Sequence, residues 1–434
     1  MKPAELLANR YEINLSAAWK DWLNDSVMEL KLPGMMRKAV DVTQLCEPGP
    51  SVIWPGFMLP DTLPVLGNDY GDWICVRVNP SNDLGELIYW YHGGGDWIPV
   101  GNTMAEAVLH DAVDQFRPIR TQMIRSATES RIDTLANVLA RLNYSQLRNW
   151  LGRSLPGDDA LLILSEVIEW IGNQDHNAAL RAMRQIGWCR DAIACDLIES
   201  YLQLPVQVIA QREYADLLDI PWFPDYINLL FDCEQASDAQ RVAIAAAATK
   251  WDGWPQQDWT KASSLASEVL QRRHDLGWAT AVCGWQQERS GQTDAAIDIY
   301  KRGVFGSAFT DQGVRLNSHA ETDENGKFAA ARLAHFRDVL ALEEDKYIQL
   351  FLRRRERSLL AEVCDFWFQR AEKSESEGDF EEAYRLFYRA GWDMGVSRMQ
   401  KYKSILSGLE RCARQAGWNG MAKVAEAHQN CLPA

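Results

Sequence analysis

The run His92-Gly93-Gly94-Gly95-Asp96 has the residue types that come closest to a catalytic motif in this sequence. In some esterases the backbone N–H groups of an H-G-G-G loop stabilise an oxyanion. That chemistry also needs a nucleophilic serine on a G-x-S-x-G turn, and the sequence contains no such turn. We therefore interpret the run as a flexible hairpin loop and predict no catalytic residues. A hydrolase with an unrecognised site is the alternative.

The sequence also lacks the common motifs for binding a metal ion or a phosphate group. The seven histidines form no H-x-x-x-H or H-E-x-x-H pair, and the nine cysteines form no C-x-x-C pair. The two glycine-rich phosphate-loop patterns are also missing. The basic cluster Arg353-Arg354-Arg355-Glu356-Arg357 would spread around a helix, which favours a solvated face or inter-helix salt bridges. The sequence therefore predicts no metal, no cofactor and no direct nucleic-acid binding.

The composition is that of an ordinary globular protein with two domains. The chain has 434 residues, of which 47% are hydrophobic and 24% charged. Its net charge of −15 argues against binding to nucleic acid or to an anionic membrane. The apolar run Val242 to Ala248 is too short to span a membrane, and residues 1–10 do not resemble a signal peptide. Because the cysteines are odd in number and show no regular spacing, we expect reduced thiols and a cytoplasmic location.

In residues 1–116, segments with helical periodicity and segments rich in β-forming residues follow one another, which predicts an α+β domain. An apolar stripe from Leu15 to Leu23 predicts a helix, and the stretch 48–64 is rich in proline and glycine and predicts a loop. The β-rich segments 73–79 and 86–92 predict an antiparallel hairpin, with a third short strand at 96–100. The sequence Thr103-Met104-Ala105-Glu106 has the form of a capping box and predicts a closing helix.

Residues 117–434 show almost only helical periodicity and predict an all-α domain. Within it, Gly284, Gly291, Ala296, Tyr300 and Gly303 match Ala371, Gly378, Ala383, Phe387 and Ala390 in spacing. This spacing is similar to the tetratricopeptide pattern, with helix pairs at 278–303 and 365–390, although generic helical hairpins are an equal alternative. Either interpretation favours a stacked, solenoid-like domain, and such surfaces usually bind peptides or proteins.

A second resemblance concerns the small domain. The run Leu63-Pro64-Val65-Leu66-Gly67-Asn68-Asp69-Tyr70-Gly71-Asp72-Trp73-Ile74-Cys75-Val76-Arg77-Val78 and the continuation Gly85-Glu86-Leu87-Ile88-Tyr89-Trp90-Tyr91-His92 resemble the SMI1/KNR4 (SUKH) superfamily. The resemblance covers about residues 10–115. It implies an antiparallel sheet with flanking helices and a protein-binding role. Bacterial members are largely immunity proteins that neutralise toxin domains, often nucleases, whereas fungal members are regulators.

The charge distribution is consistent with a basic protein partner. Residues 1–115 contain 7 basic and 16 acidic side chains, and Arg77 is the only basic residue between Ser51 and Asp114. Acidic side chains would steer a basic partner, while aromatic rings would fill its pockets. Simple solubility is the alternative explanation for the acids. The three-strand region is expected to be too small to bury all of its aromatic rings. We therefore predict partner contacts by eight residues there: Asp69, Asp72, Trp73, Glu86, Trp90, Tyr91, Asp96 and Trp97.

The expected function is therefore stoichiometric protein binding without turnover. As an immunity-type protein, the chain would cover the active cleft of a basic toxin domain such as a nuclease. The alternative is a cytoplasmic regulatory scaffold that binds one client through the SUKH-like domain and another through the helical repeats. The sequence does not indicate the oligomeric state.

Overall fold

The structure of the protein is a computed structural model. It describes residues 1–24, 35–92, 97–104, 106–107, 111, 201, 258–271, 277–305, 329, 332–333, 336, 359–392 and 399–433. These residues form an N-terminal antiparallel sheet with helices and a C-terminal all-helical region, as the sequence predicts. Most of the first half of the predicted all-α domain, residues 117–200 and 202–257, and the basic cluster at 353–357 lie outside the described residues.

The N-terminal region is built around a five-stranded sheet with strand order β1-β2-β3-β4-β5, in which every pairing is antiparallel. The predicted hairpin and third strand are confirmed within two residues at each end. The elements are α1 (Pro3–Tyr11), α2 (Ala17–Asn24), β1 (Lys38–Ala39), α3 (Val42–Leu45), β2 (Thr62–Gly67), β3 (Trp73–Val78), β4 (Leu84–Trp90) and β5 (Trp97–Gly101).

Strand β2 begins inside the stretch that its prolines predict as a loop, so that prediction is wrong at its C-terminal end. Pro64 has no N–H to give to a neighbouring strand. The register between β2 and β3 shifts between Pro64 and Leu66, and the short β1 pairs only with Leu66 and Gly67. Pro64 therefore sits beside a bulge and beyond the reach of β1, where a proline is tolerated in a strand.

The predicted capping box forms in part directly after β5. The Glu106 backbone N–H donates to Thr103 Oγ1 at 3.2 Å, and Glu106 Oε2 accepts a hydrogen bond from the Asn102 N–H at 2.6 Å. The first bond satisfies an N–H group that the first helical turn leaves without a partner. The second bond reaches the N–H one residue before the N-cap residue Thr103, instead of the N-cap N–H itself. Most of the closing helix predicted beyond Glu106 lies outside the described residues.

Seven helices are described in the C-terminal region, and consecutive helices pack on one another within α4–α5, α5–α6 and α7–α10. Among the described helices, none is long and apolar enough to cross a membrane. The helices are α4 (Trp259–Leu270), α5 (Gly277–Arg289), α6 (Thr293–Phe305), α7 (Leu359–Ser376), α8 (Phe380–Trp392), α9 (Met399–Gln415) and α10 (Asn419–Asn430).

The matched residues of the two predicted helix pairs lie in the turns between the paired helices or are buried within those helices. Gly291 and Gly378 have φ of 76° and 82° in the connecting turns, a conformation that glycine adopts without strain. A Cβ on Gly284 would collide with the ring of Tyr300, so this glycine permits the close packing of α5 and α6. The hairpins are therefore present, whereas their tetratricopeptide nature stays a prediction.

The C-terminal helix α10 packs against the N-terminal domain, where it contacts α1 and β3. A Cβ on Gly420 would lie 2.8 Å from Ile13 Cγ2 and 2.9 Å from Val78 Cγ1. Glycine at this position therefore allows the start of α10 to rest directly on the sheet. We call this contact between α8, α10 and the N-terminal domain the junction.

Candidate protein-binding surface

The structure brings most of the predicted contact residues to one end of the sheet. This end contains the β2–β3 turn (68–72), the last residues of β4 and the first residue of β5. Trp73 is paired with Trp90, and Trp90 with Trp97, so the three side chains project from the same face. Glu86 lies four residues earlier on β4, about 13 Å away at 3.3 Å per residue. Asp96 lies outside the described residues.

The β2–β3 turn is organised by two polar side chains. Asn68 Oδ1 accepts the backbone N–H groups of Tyr70 and Asp72, each at 2.9 Å, and Gly71 has φ of 95°. Asp72 Oδ2 accepts the Asn68 side-chain N–H at 2.9 Å. Asp72 Oδ1 accepts the His92 backbone N–H at 3.0 Å and lies 2.7 Å from His92 Nδ1. Asp72 therefore holds the turn against the end of β4, and a contact with a partner stays a prediction for this residue.

Asp69 and Tyr70 project from the tip of this turn into solvent. Their exposed fractions are 67% for the Asp69 side chain and 66% for Tyr70. Asp69 Oδ1 lies 2.5 Å from Lys38 Nζ, and this hydrogen bond, with the ammonium charge, lowers the Asp69 pKa. Because an exposed ion pair contributes little to stability, loss of the Lys38 contact would cost the fold little.

Two of the four predicted aromatic contacts are core residues instead. Trp90 is fully buried, and its indole N–H donates to the Phe57 carbonyl at 2.7 Å. Trp97 is only 4% exposed. The expectation that the region is too small to bury such rings is wrong for these two residues, because the sheet has five strands and the loop before β2 also covers it. In this conformation neither ring is available to fill a pocket of a partner.

The other two predicted aromatic residues are half-buried. Trp73 packs over Gly67, where a Cβ would lie 2.9 Å from the indole ring. Tyr91 stacks on Tyr89 with ring centroids 4.5 Å apart. Both keep part of their surface in solvent, and their role in partner binding stays a prediction.

Sequence reasoning missed the exposed aromatic pair at this end, Trp54 and Phe57. Their exposed fractions are 47% and 41%, and they flank Pro55-Gly56. The Phe57 N–H donates to the Trp54 carbonyl at 3.2 Å and Gly56 has φ of 86°, as in a type II turn with proline and glycine at its centre. The detectable signal was this Pro-Gly pair between two aromatic residues, within a stretch that was interpreted only as a loop.

The turn is fixed to the core beneath it. The Trp54 ring lies 6.2 Å from the ring of buried Trp90, whose indole N–H holds the Phe57 carbonyl. The two exposed rings are therefore presented by a supported turn. We call Trp54, Phe57, Asp69 and Tyr70 the aromatic–acidic surface.

Glu86 belongs to a different polar cluster, which lies at the junction. The Arg77 guanidinium is 2.7 Å from Asp61 Oδ2 and 3.5 Å from Glu86 Oε2. The Tyr388 hydroxyl of α8 donates to Asp61 Oδ1 at 3.3 Å and lies 3.5 Å from Arg77 Nη2. Arg77, the only basic residue of its segment, therefore binds acids of its own domain next to a helix of the C-terminal region.

Comparison with protein-family models, with curated proteins and with solved structures finds no match for this chain. The resemblances to the SUKH superfamily and to tetratricopeptide repeats thus stay predictions. Within the described residues, no group of three or more His, Cys, Asp or Glu side chains is placed to hold a metal ion. A functional proposal therefore rests on the exposed surface described above.

Proposed function

We propose that this protein acts without catalysis, by binding a basic protein domain through the aromatic–acidic surface. The observation that supports this proposal is the exposed pair Trp54 and Phe57 on a supported turn. Aromatic side chains offer a large contact area, and rings already held in place lose little conformational freedom on binding. Their domain carries a net charge of −9 over residues 1–115, which would attract a basic partner over long range.

The partner that fits this chemistry is a toxin domain that acts on nucleic acid. Such a domain must be basic where it holds the phosphate backbone. An acidic protein that binds there competes with the substrate and blocks the active cleft. We therefore propose an immunity-type role in the cytoplasm, which is also the role that the SUKH resemblance implies.

A regulatory scaffold is the second candidate, and the helical hairpins favour it. Helices α7 to α10 each pack on the next along the chain, as in stacked repeats that present a surface for peptides. We propose that these helices form a short solenoid-like unit. In a scaffold, this unit would bind one client and the N-terminal domain another.

The first test measures the affinity of the full chain for a purified basic nuclease domain, chosen from the genes that neighbour its own. Replacing Trp54 and Phe57 with Ala should weaken binding at least tenfold, since a central aromatic contact contributes about 2 kcal/mol or more. Met35→Ala is the matched control, because Met35 is similarly exposed at 36%. Co-expression should rescue growth with the native chain and fail with the double variant. Equal affinity of the native chain and the double variant would exclude this surface.

The second test examines the charge contribution. Asp69→Lys should slow association, and the effect should shrink at high salt because mobile ions screen exposed charges. Glu381→Lys makes the same charge change on α8, where the Glu381 side chain is 59% exposed. If both variants slow association equally, net charge and not the local surface steers the partner. Absence of toxin binding, together with capture of defined clients by the helical unit, would favour the scaffold.

A further inference from the structure

Hydrogen bonds across the junction connect helix α10 to the N-terminal domain. The Gly420 N–H donates to Asn82 Oδ1 at 2.8 Å, and His428 Nε2 lies 3.3 Å from the Thr62 carbonyl. The N-cap residue of α10, Trp418, makes no side-chain capping hydrogen bond. Asn82 therefore supplies, from the other end of the chain, an acceptor that a helix usually receives from its own N-cap.

His428 is the buried titratable group of this contact. Its side chain is fully buried. Because the Thr62 carbonyl can only accept a hydrogen bond, the ring carries its proton on Nε2. Within the described part of the chain, Nδ1 has no hydrogen-bond partner. The neutral ring fits this site, whereas a protonated ring would bury a positive charge and an N–H without an acceptor.

The surroundings do not compensate for a charge on His428. Burial is the main cause that lowers its pKa, to about 4, and the hydrogen bond to the Thr62 carbonyl and the Asp61 carboxylate oppose this effect only in part. Asp61 is already bound by Arg77 and Tyr388. The titratable and charged groups on the elements around α10 include Arg10 and Tyr11 of α1, Asp61, Arg77 of β3, Tyr384 and Tyr388 of α8, Tyr402, Glu410 and Arg414 of α9, and Lys423, Glu426 and Cys431.

We propose that His428 makes the junction a pH-responsive switch, in which protonation of the buried imidazole releases α10 from the N-terminal domain. Release brings the charged ring into water and breaks the contacts of Asn82 and Thr62 with α10. The aromatic–acidic surface lies at the opposite end of the sheet and contributes no residue to the junction. The switch is therefore independent of the proposed binding function, and each can fail without the other.

The direction and size of the effect follow from the two protonation states. The docked ring has a pKa of about 4, while a ring released into water has the ordinary value of 6.5. The free energy that docks α10 on the N-terminal domain is therefore largest above pH 6.5 and decreases as the pH falls from 6.5 towards 4. For one proton, the equilibrium constant for release rises about twentyfold between pH 7 and pH 5.

Hydrogen exchange of the full chain tests this switch. The Gly420 amide is the probe of release, because its hydrogen bond crosses the junction. Its protection factor, which is corrected for the intrinsic effect of pH on exchange, should fall about twentyfold from pH 7 to pH 5, while the amides of β3 stay protected. His428→Gln keeps a donor for the Thr62 carbonyl but cannot titrate, so it should lose the response. His92→Gln, at the other end of the sheet, should keep it.

Two results would overturn the switch. One is a parallel loss of protection in β3, which would mean that acid unfolds the whole domain. The other is an unchanged pH response in His428→Gln, which would assign the effect to another group. If that variant does not fold, NMR titration of His428 in the native chain decides. An imidazole that titrates near 6.5 while the Gly420 amide stays protected would contradict the proposal.

Discussion

Neutralising Arg77 should destabilise the protein far more than neutralising its exposed partner Glu86. The perturbation is Arg77→Met, which keeps an unbranched apolar stem beside Trp97 but removes the guanidinium. The Asp61 side chain is 4% exposed and accepts two hydrogen bonds from Arg77, at 2.7 and 3.0 Å. Removing the cation leaves a buried carboxylate with only the Tyr388 hydroxyl, which should cost about 3 kcal/mol.

The matched control is Glu86→Gln. The Glu86 side chain is 32% exposed and lies 3.5 Å from the guanidinium, so its loss should cost about 0.5 kcal/mol. Urea unfolding at pH 7 measures both free energies. Adding Asp61→Asn to Arg77→Met should recover part of the loss, because no buried charge then lacks its partner. Equal losses of stability in the two single variants, or a double variant less stable than Arg77→Met, would contradict a buried charge pair at this site.

Two further predictions concern packing and turn geometry. Gly408→Ala places a Cβ 2.7 Å from the Phe387 ring and should destabilise the helical region by about 2 kcal/mol, whereas Gly391→Ala meets only ordinary contacts and should stabilise α8 by about 0.5 kcal/mol. Thermal unfolding distinguishes the two, and a loss in both would contradict the packing argument. Asp72→Ala removes the acceptor of the His92 N–H and should cost about 1 kcal/mol, with faster hydrogen exchange at that amide. Unchanged exchange would show that Asp72 does not hold the turn.

The local elements of the fold could be predicted because their signals lie within a few residues. Runs of residues that favour strands identified β3 and β4, and the spacing from Gly284 to Tyr300 identified a helix pair whose glycine meets the aromatic ring. Strand β2 was missed because Pro64 normally argues against a strand. Only the three-dimensional register shows that its missing N–H faces no partner there.

The candidate site was harder to predict because its residues lie in separate segments. Burial of Trp90 depends on Trp54 and Phe57, which lie more than thirty residues earlier in the chain. A single sequence does not show that a proline-rich loop folds back over the sheet. When the loop covers the sheet, Trp90, which was expected to be exposed, is buried in the core, and Trp54 and Phe57 of the loop lie at the surface. The expected exposure is therefore wrong for Trp90 and Trp97, while the partner contacts themselves stay a prediction.

The junction was outside the reach of sequence reasoning altogether, since Asn82 and Gly420 are 338 residues apart. The same contact permits a prediction that separates two causes of stability. Asn82 has φ of 61°, a left-handed conformation, and its side chain accepts the Gly420 N–H. Asn82→Gly keeps the backbone conformation and loses only the acceptor, so we expect a loss of about 1 kcal/mol.

Asn82→Ala loses the same acceptor and also places a Cβ in the left-handed region, which costs about 1 kcal/mol more. The order of stability should therefore be native, then the Gly variant, then the Ala variant, in urea unfolding at pH 7. Protection of the Gly420 amide should fall equally in both variants, because both lack the acceptor at position 82. Equal stability of the Gly and native chains would show that water satisfies the start of α10 as well as Asn82 does. In that case the capping across the junction would contribute nothing to docking, and the fit of Gly420 against Ile13 and Val78 would have to account for it.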